Sequence, residues 1–267
     1  MSKEFKLLFL GDVVGRPGRT IVKNYLDDVR ATDKYDFIVL NAENASHGFG
    51  LTQKNHDEFL QMGVNCLTSG NHIWDKKDVF SYIDESQVLI RPYNYPDAKG
   101  VGYRIFDDIV VINLLGRTFM PPINCPFEAL DEIVSRLKNE CDFENKISFI
   151  DFHAEATAEK ICFAKYAQGL GIKAVVGTHT HVQSADEKII NGTCAYLTDA
   201  GFCGSSEGVI GMDYESSLKR LKTSIPSRFD VDESEFSQIN ACEIFFDRKT
   251  GIAKKIKRIN FISEVKK

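Results

Sequence analysis

The sequence has no long apolar run and no excess of positive charge. Its first hydrophobic stretch, Phe5-Lys6-Leu7-Leu8-Phe9-Leu10, is about six residues, far short of the roughly 20 a membrane helix needs, so it is expected to be a strand rather than an export or membrane signal. The net charge of −5 argues against a broad basic surface for duplex nucleic acid. Cysteine occurs seven times, an odd number, and never as Cys-x-x-Cys, which argues against a disulfide-bonded exported protein and for a reduced cytoplasm. Linkers, repeats and low-complexity tracts are also lacking. With 43% hydrophobic and 27% charged residues, the 267-residue chain is expected to form one soluble domain over 1–267. The basic stretch Lys254-Lys255-Ile256-Lys257-Arg258, with Lys266 and Lys267, reads as an edge strand guarded by lysines, or else as a weak RNA-contacting patch.

Histidine is scarce too, yet four of the six fall where apolar runs end. Val64-Asn65-Cys66-Leu67 leads into Ser69-Gly70-Asn71-His72, and Ile172-Lys173-Ala174-Val175-Val176 into Gly177-Thr178-His179-Thr180-His181. The runs at 5–10, 36–40 and 147–150 stop at Asp12, at Asn41-Ala42-Glu43-Asn44 and at Asp151-Phe152-His153. Such runs suit parallel strands buried on both faces, and open α/β folds build sites outside the carboxyl ends of those strands. Taken singly, each histidine is as readily a packed or solvated residue, and Asp12 a helix or turn cap. In an extended segment His179 and His181 would point to the same side. Together the donors suit Mn, Fe, Zn or Ni. Six or seven ligands exceed the three that a catalytic zinc keeps, whereas hydrolytic pairs hold two ions about 3.5–4 Å apart.

In order and type, Asp12, Glu43-Asn44, Gly70-Asn71-His72, His153 and Gly177-Thr178-His179-Thr180-His181 resemble the motifs of the calcineurin-like metallophosphoesterase superfamily. Two departures, Asp12-Val13-Val14 for Asp-x-His and Asn41-Ala42-Glu43-Asn44 for Gly-Asp-x-x-Asp, resemble the YmdB-like bacterial phosphodiesterase branch. So do Gly11 to Arg19, the Gly-rich Gly48-Phe49-Gly50-Leu51-Thr52, Tyr196 to Gly201, and Val209-Ile210-Gly211-Met212. The resemblance implies a four-layer α/β/β/α sandwich of two mixed sheets. It implies two divalent metal ions, Fe or Mn before Mg or Zn. Glu43 would bridge them, with Asp12, His181 and nearby Asn44 on one ion and Asn71, His153 and His179 on the other. His72 would be the catalytic acid, oriented by Asp75 or by Asp12. The implied reaction is in-line hydrolysis of a cyclic nucleotide by a hydroxide held between the metals, with 2′,3′-cyclic mononucleotides favoured. The alternatives are a phosphomonoesterase, a 3′,5′-cyclic phosphodiesterase, or a slow regulatory module that binds nucleotides or RNA-decay factors. A small phosphodiester partner and a homo-oligomer are expected, without a membrane. Phe49 is a candidate to stack on a base, or simply packs on the rim.

Helices are expected after Arg16-Pro17-Gly18-Arg19 to about residue 31, after Thr52 as cap, and over about 76–85, 126–139 and 155–168. A hairpin is expected around Asp107-Asp108, and two late strands around a turn at 248–251.

Overall fold

The computed structural model describes residues 3–32, 34–226 and 228–265. Lys266 and Lys267, the end of the expected basic stretch, lie outside them.

The chain opens with β1 (Glu4–Leu10), β2 (Asp12–Val13), α1 (Gly15–Arg30), β3 (Phe37–Asn41), α2 (Gln53–Gln61), β4 (Cys66–Thr68) and the short α3 (Val79–Tyr82). There follow β5 (Tyr103–Ile105), β6 (Ile109–Leu115), α4 (Pro126–Glu140), β7 (Ile147–His153), α5 (Thr157–Gly169), β8 (Ala174–Thr178), β9 (Lys188–Ile190) and β10 (Cys194–Leu197). It closes with β11 (Phe202–Ser205), α6 (Tyr214–Thr223), β12 (Phe236–Asp247) and β13 (Ala253–Glu264).

These strands form two mixed sheets among the described residues. The first runs β2-β11-β12-β1-β3-β4 with β13 beside β12, and the second β5-β6-β7-β8-β10-β9. β1, β3 and β4 are parallel, as are β6, β7, β8 and β10, while β12 runs antiparallel to its neighbours.

Side-chain alternation explains why the runs are apolar throughout. In β1, Leu8 and Leu10 face a core shared with Leu26 of α1 and Phe59 of α2, while Leu7 and Phe9 face Phe149 of β7 and Val176 of β8. On its other face the second sheet packs Ile150 and Val175 against Leu130 of α4 and Phe163 of α5. The result is the four-layer α/β/β/α sandwich. Burial of these layers supplies the main stabilisation.

The expected helices form. Thr52 caps α2 by accepting a hydrogen bond from the Asn55 amide, and Pro126 starts α4 where its missing N–H costs nothing. β13 is a sheet edge whose Lys254, Lys255, Lys257 and Arg258 are exposed, the lysine-guarded arrangement. No helix among the described residues is long and apolar enough to cross a membrane.

Candidate functional site

The carboxyl ends of the central strands of both sheets meet at one edge. Asn41 ends β3, and Glu43 lies two residues beyond it, its amide held by Asn41 Oδ1 at 3.1 Å. Asn71 and His72 follow β4. The path into them needs Gly70, because a Cβ there would sit 2.2 Å from Glu43 Oε2 and 2.4 Å from the His153 ring. His153 is the last residue of β7, and His179 and His181 follow β8.

Donor atoms crowd around His153 Nε2. Glu43 Oε1 lies 3.1 Å away, His179 Nδ1 3.1 Å and Asn71 Oδ1 3.2 Å. A single ring nitrogen cannot hydrogen-bond all three at once, whereas a cation among them is served by every lone pair. Asp12, Glu43 and His181 form a second group, each offering one ligand atom within 4.8 Å of the others. Asn44 Oδ1 stands 3.3 Å from His181 Nε2. Glu43 belongs to both groups.

Three features test the fit of divalent cations. Asp12 Oδ1 is buried and has no hydrogen-bond partner, a costly state for a carboxylate oxygen unless a cation sits against it. The imidazoles have the tautomers that ligation needs. The Ile210 carbonyl accepts from His181 Nδ1 at 3.0 Å, which frees Nε2. Thr178 Oγ1, which donates to Asp151 Oδ1 at 2.7 Å, accepts from His153 Nδ1 at 2.8 Å, which frees that Nε2 as well. The donor set, oxygen and neutral imidazole without thiolate, is that of Mn, Fe or Zn sites. The residues present fit the group.

The electrostatics follow from burial and crowding. Burial pushes the Asp12 carboxyl well above the usual carboxylate range, with Glu43 adding to the push and His153 opposing it. Burial acts on Glu43 in the same direction, but neighbouring His153 overrides it and holds Glu43 down to about 2. Burial, and then the charge of His153, pushes His179 down to about 3, and burial lowers His181 too, so both favour the neutral, ligating form. Burial would lower His153 as well, but Glu43 and Asp12 override it and raise it to about 9, a positive charge that a cation beside Glu43 would replace. Burial raises Asp151 to about 6 despite hydrogen bonds from Thr178, Thr68 and Asn41.

His179 and His181 do not extend from the strand in register. Their φ angles are 103° and 61°, in the left-handed region, so they turn to different sides: His179 to His153, His181 to Asp12. The expectation of a shared side is corrected here, because the strand ends at Thr178. The turn is pinned from below. Asp199 Oδ2 accepts from the Thr180 amide at 3.1 Å, from Thr180 Oγ1 at 2.7 Å and from Lys160 Nζ at 2.7 Å. Lys160 and Asp199 are 1% and 3% exposed, a buried ion pair beneath the two imidazoles. Lys160 does not draw attention in the sequence, and Asp151 does so only as the carboxylate where the run at 147–150 stops; the one signal for Lys160 is a charged residue amid apolar neighbours.

His72 stands apart from the donor cluster. Its Nδ1 is 2.9 Å from Asp75 Oδ2, which leaves Nε2 for another partner. Asp12, the other candidate to orient it, accepts from the His179 amide at 3.0 Å. His72, Glu43, Asn44, His179 and His181 all line a cleft of about 420 Å³. Cys203 is a buried thiol, pushed up to about 12 by burial. His56 contacts Asp57 and Ser86 at 2.8 and 2.9 Å, but the Ser86 hydroxyl already accepts from the Leu89 amide.

Comparison with known proteins shows the family. Residues 8–259 match the family model described as YmdB-like protein. The chain is 44% identical over 259 residues to a 2′,3′-cyclic-nucleotide 2′-phosphodiesterase of Bacillus subtilis (strain 168), covering 95% of this chain and 96% of that protein. Among solved structures it resembles one described as a novel phosphatase from Mycoplasma pneumoniae, with a TM-score of 0.89, 34% identity and coverage of 99% and 95%. It also resembles a hypothetical protein from Thermus thermophilus, with a TM-score of 0.88, 32% identity and coverage of 97% and 100%. With a family model spanning residues 8–259 and a relative 44% identical over nearly the whole of both chains, this protein belongs to the YmdB-like family.

Proposed function

We propose that this protein is a dinuclear-metal-dependent phosphodiesterase that hydrolyses cyclic nucleotides, 2′,3′-cyclic mononucleotides by preference. Its relatives are a phosphodiesterase and a phosphatase by name, and it is a hydrolytic enzyme of that kind. The observation that carries the finer reading is the pair of ligand groups sharing Glu43 beside a cleft that His72 also lines.

In this reading Asp12, Glu43, Asn44 and His181 hold one cation, and Glu43, Asn71, His153 and His179 hold the other. When bound, the two cations, Fe or Mn before Mg or Zn, supply Lewis acidity at the phosphoryl oxygens and lower the pKa of water. Glu43 is the one carboxylate that both ligand groups would share. Water, giving up one proton to solvent, attacks phosphorus in line, opposite the departing ribose oxygen. The P–O bond to that oxygen breaks, and His72, held at Nδ1 by Asp75, gives it a proton from Nε2. The chain acts as one domain over residues 1–267; β12, near its end, pairs with β1, near its start. Seven unpaired thiols suit a reducing cytoplasm. A homo-oligomer is part of the same proposal.

The resemblance to a phosphatase structure favours a phosphomonoesterase as the second reading. A substrate panel separates them. Protein reconstituted with Mn²⁺ or Fe²⁺ is offered 2′,3′-cyclic AMP, 3′,5′-cyclic AMP, AMP and bis-p-nitrophenyl phosphate, with Glu43→Gln as control. The proposal expects the 2′,3′-cyclic substrate to be cleaved fastest and the control to be nearly inactive. Release of phosphate from AMP without diester cleavage would establish the monoesterase instead.

A further inference from the structure

The ligand cluster is not the whole lining of the cleft. Phe49, Val209, Ile210, Met212, Leu221 and Phe229 form an apolar stretch of its wall, beside the polar Glu155, Thr180 and Ser217. Nothing in hydrolysis of a phosphodiester calls for such a wall, so it is matched to the part of the substrate that is neither phosphate nor ribose.

Its two rings are placed for that part. The Phe49 ring centroid lies 4.9 Å from that of His72 and 6.5 Å from that of Phe229, whose plane is inclined 32° to it. The Arg220 guanidinium sits 4.4 Å over the Phe229 centroid. Phe49 and Phe229 are both half-buried, their remaining surface bordering the cleft. The Phe49 loop is also tied to the metal side. Asn44 directs Oδ1 toward His181 and donates from Nδ2 to the Gly48 carbonyl at 2.9 Å, so one amide sets the spacing between the ligand cluster and the aromatic ring. Gly48 has φ +86° and a Cβ there would meet Met212 Cε at 2.9 Å, which seats the loop on the apolar wall. The Phe49 ring thus stands beside the imidazole proposed to protonate the departing ribose oxygen.

We propose that Phe49 and Phe229 form a nucleobase subsite that makes this cleft selective for nucleoside cyclic phosphates over base-free cyclic diesters. The proposal rests on the phosphodiesterase reading above. Apolar side chains make up most of this stretch, so it recognises a flat heteroaromatic group chiefly by stacking and contact rather than by hydrogen bonds.

The test compares kcat/KM for 2′,3′-cyclic AMP, 2′,3′-cyclic CMP and glycerol 1,2-cyclic phosphate, which keeps the five-membered cyclic diester and lacks a base. Wild-type protein is expected to favour both nucleotides over the glycerol ester by roughly 5- to 100-fold, the range of one base–aromatic stack. Phe49→Ala and Phe229→Ala should each shrink that ratio, chiefly through KM, and Phe→Leu variants check that folding is not the cause. A turnover-free arm measures binding of adenosine 3′-phosphate against inorganic phosphate by calorimetry. Tighter binding of the nucleotide, weakened in both variants, supports the subsite even if no diester is cleaved. Equal kcat/KM for glycerol 1,2-cyclic phosphate and the nucleotides, or equal binding of adenosine 3′-phosphate and inorganic phosphate, overturns the subsite and leaves the phosphodiesterase standing. Hydrolysis of none of the three esters by metal-loaded protein overturns the phosphodiesterase reading, and the binding arm alone then decides the subsite.

Discussion

His153 Nε2 has three donor atoms within 3.2 Å and one hydrogen at most, so the site is built around something other than hydrogen bonds. His72 is the opposite case: one partner at Nδ1, a free Nε2 and a place on the cleft wall. The two histidines therefore differ in what their loss should do. His72→Ala is expected to lower kcat on the order of 10²–10⁴-fold while metal content, read by elemental analysis, stays at the wild-type level. Loss of metal in that variant would show that His72 is a ligand and not the acid. The donor residues were legible in the sequence because histidine is rare here and clusters where apolar runs end. Asp151 was not legible as a support, because its work is done through Thr178, Thr68 and Asn41, which come from three separate strands. Only the folded sheets bring those strands together.

At the scale of elements, the turn after β8 matters most. It places two histidines at positive φ, a conformation of order 1–3 kcal/mol above the ordinary one for a residue that is not glycine. Such a turn persists when its surroundings over-determine it, and here Asp199 holds Thr180 by backbone and hydroxyl while Lys160 neutralises Asp199. Removing one partner of a buried pair leaves an uncompensated charge. Lys160→Met is expected to destabilise the fold by about 3–5 kcal/mol. It should also weaken metal binding by roughly 10- to 100-fold, because the imidazoles lose their support. Denaturant unfolding of the metal-free protein and a metal titration read the two effects separately. Unchanged metal affinity would make the pair a feature of stability alone. The same turn marks a limit of sequence pattern: alternation predicts a shared side for His179 and His181, and it fails where the strand stops. Among the elements, β1, β3, β7 and β8 follow from apolar runs, α2 from its Thr52 cap, and the hairpin of β5 and β6 from its Asp-Asp turn. β2, β9 and β11 are two to four residues long and carry too little pattern to stand out from loops. Their pairing depends on neighbours distant in sequence, as when Asp12 of β2 finds Phe202 of β11.

At the scale of the molecule, the ligand cluster straddles the two sheets. Asp12, Glu43, Asn44 and Asn71 belong to strands and loops of the first, and His153, His179 and His181 to the second. The central layer that joins the sheets, with Phe9 and Phe149 centroids 4.9 Å apart, is thus what sets the distance between the two halves of the site. Early strand–helix alternation and later antiparallel pairs suggest two stacked sheets and the resemblance implies the sandwich, but apolar runs do not specify which sheet each strand joins. Placing one carboxylate, Glu43, in both ligand groups is the central claim, and it concerns how many ions bind and where. Crystals of the protein grown with Mn²⁺ and measured at the Mn absorption edge test it most directly. Two anomalous peaks about 3.5–4 Å apart with the Glu43 carboxylate between them are the expected result. A single peak, or two peaks that Glu43 does not join, would contradict the account.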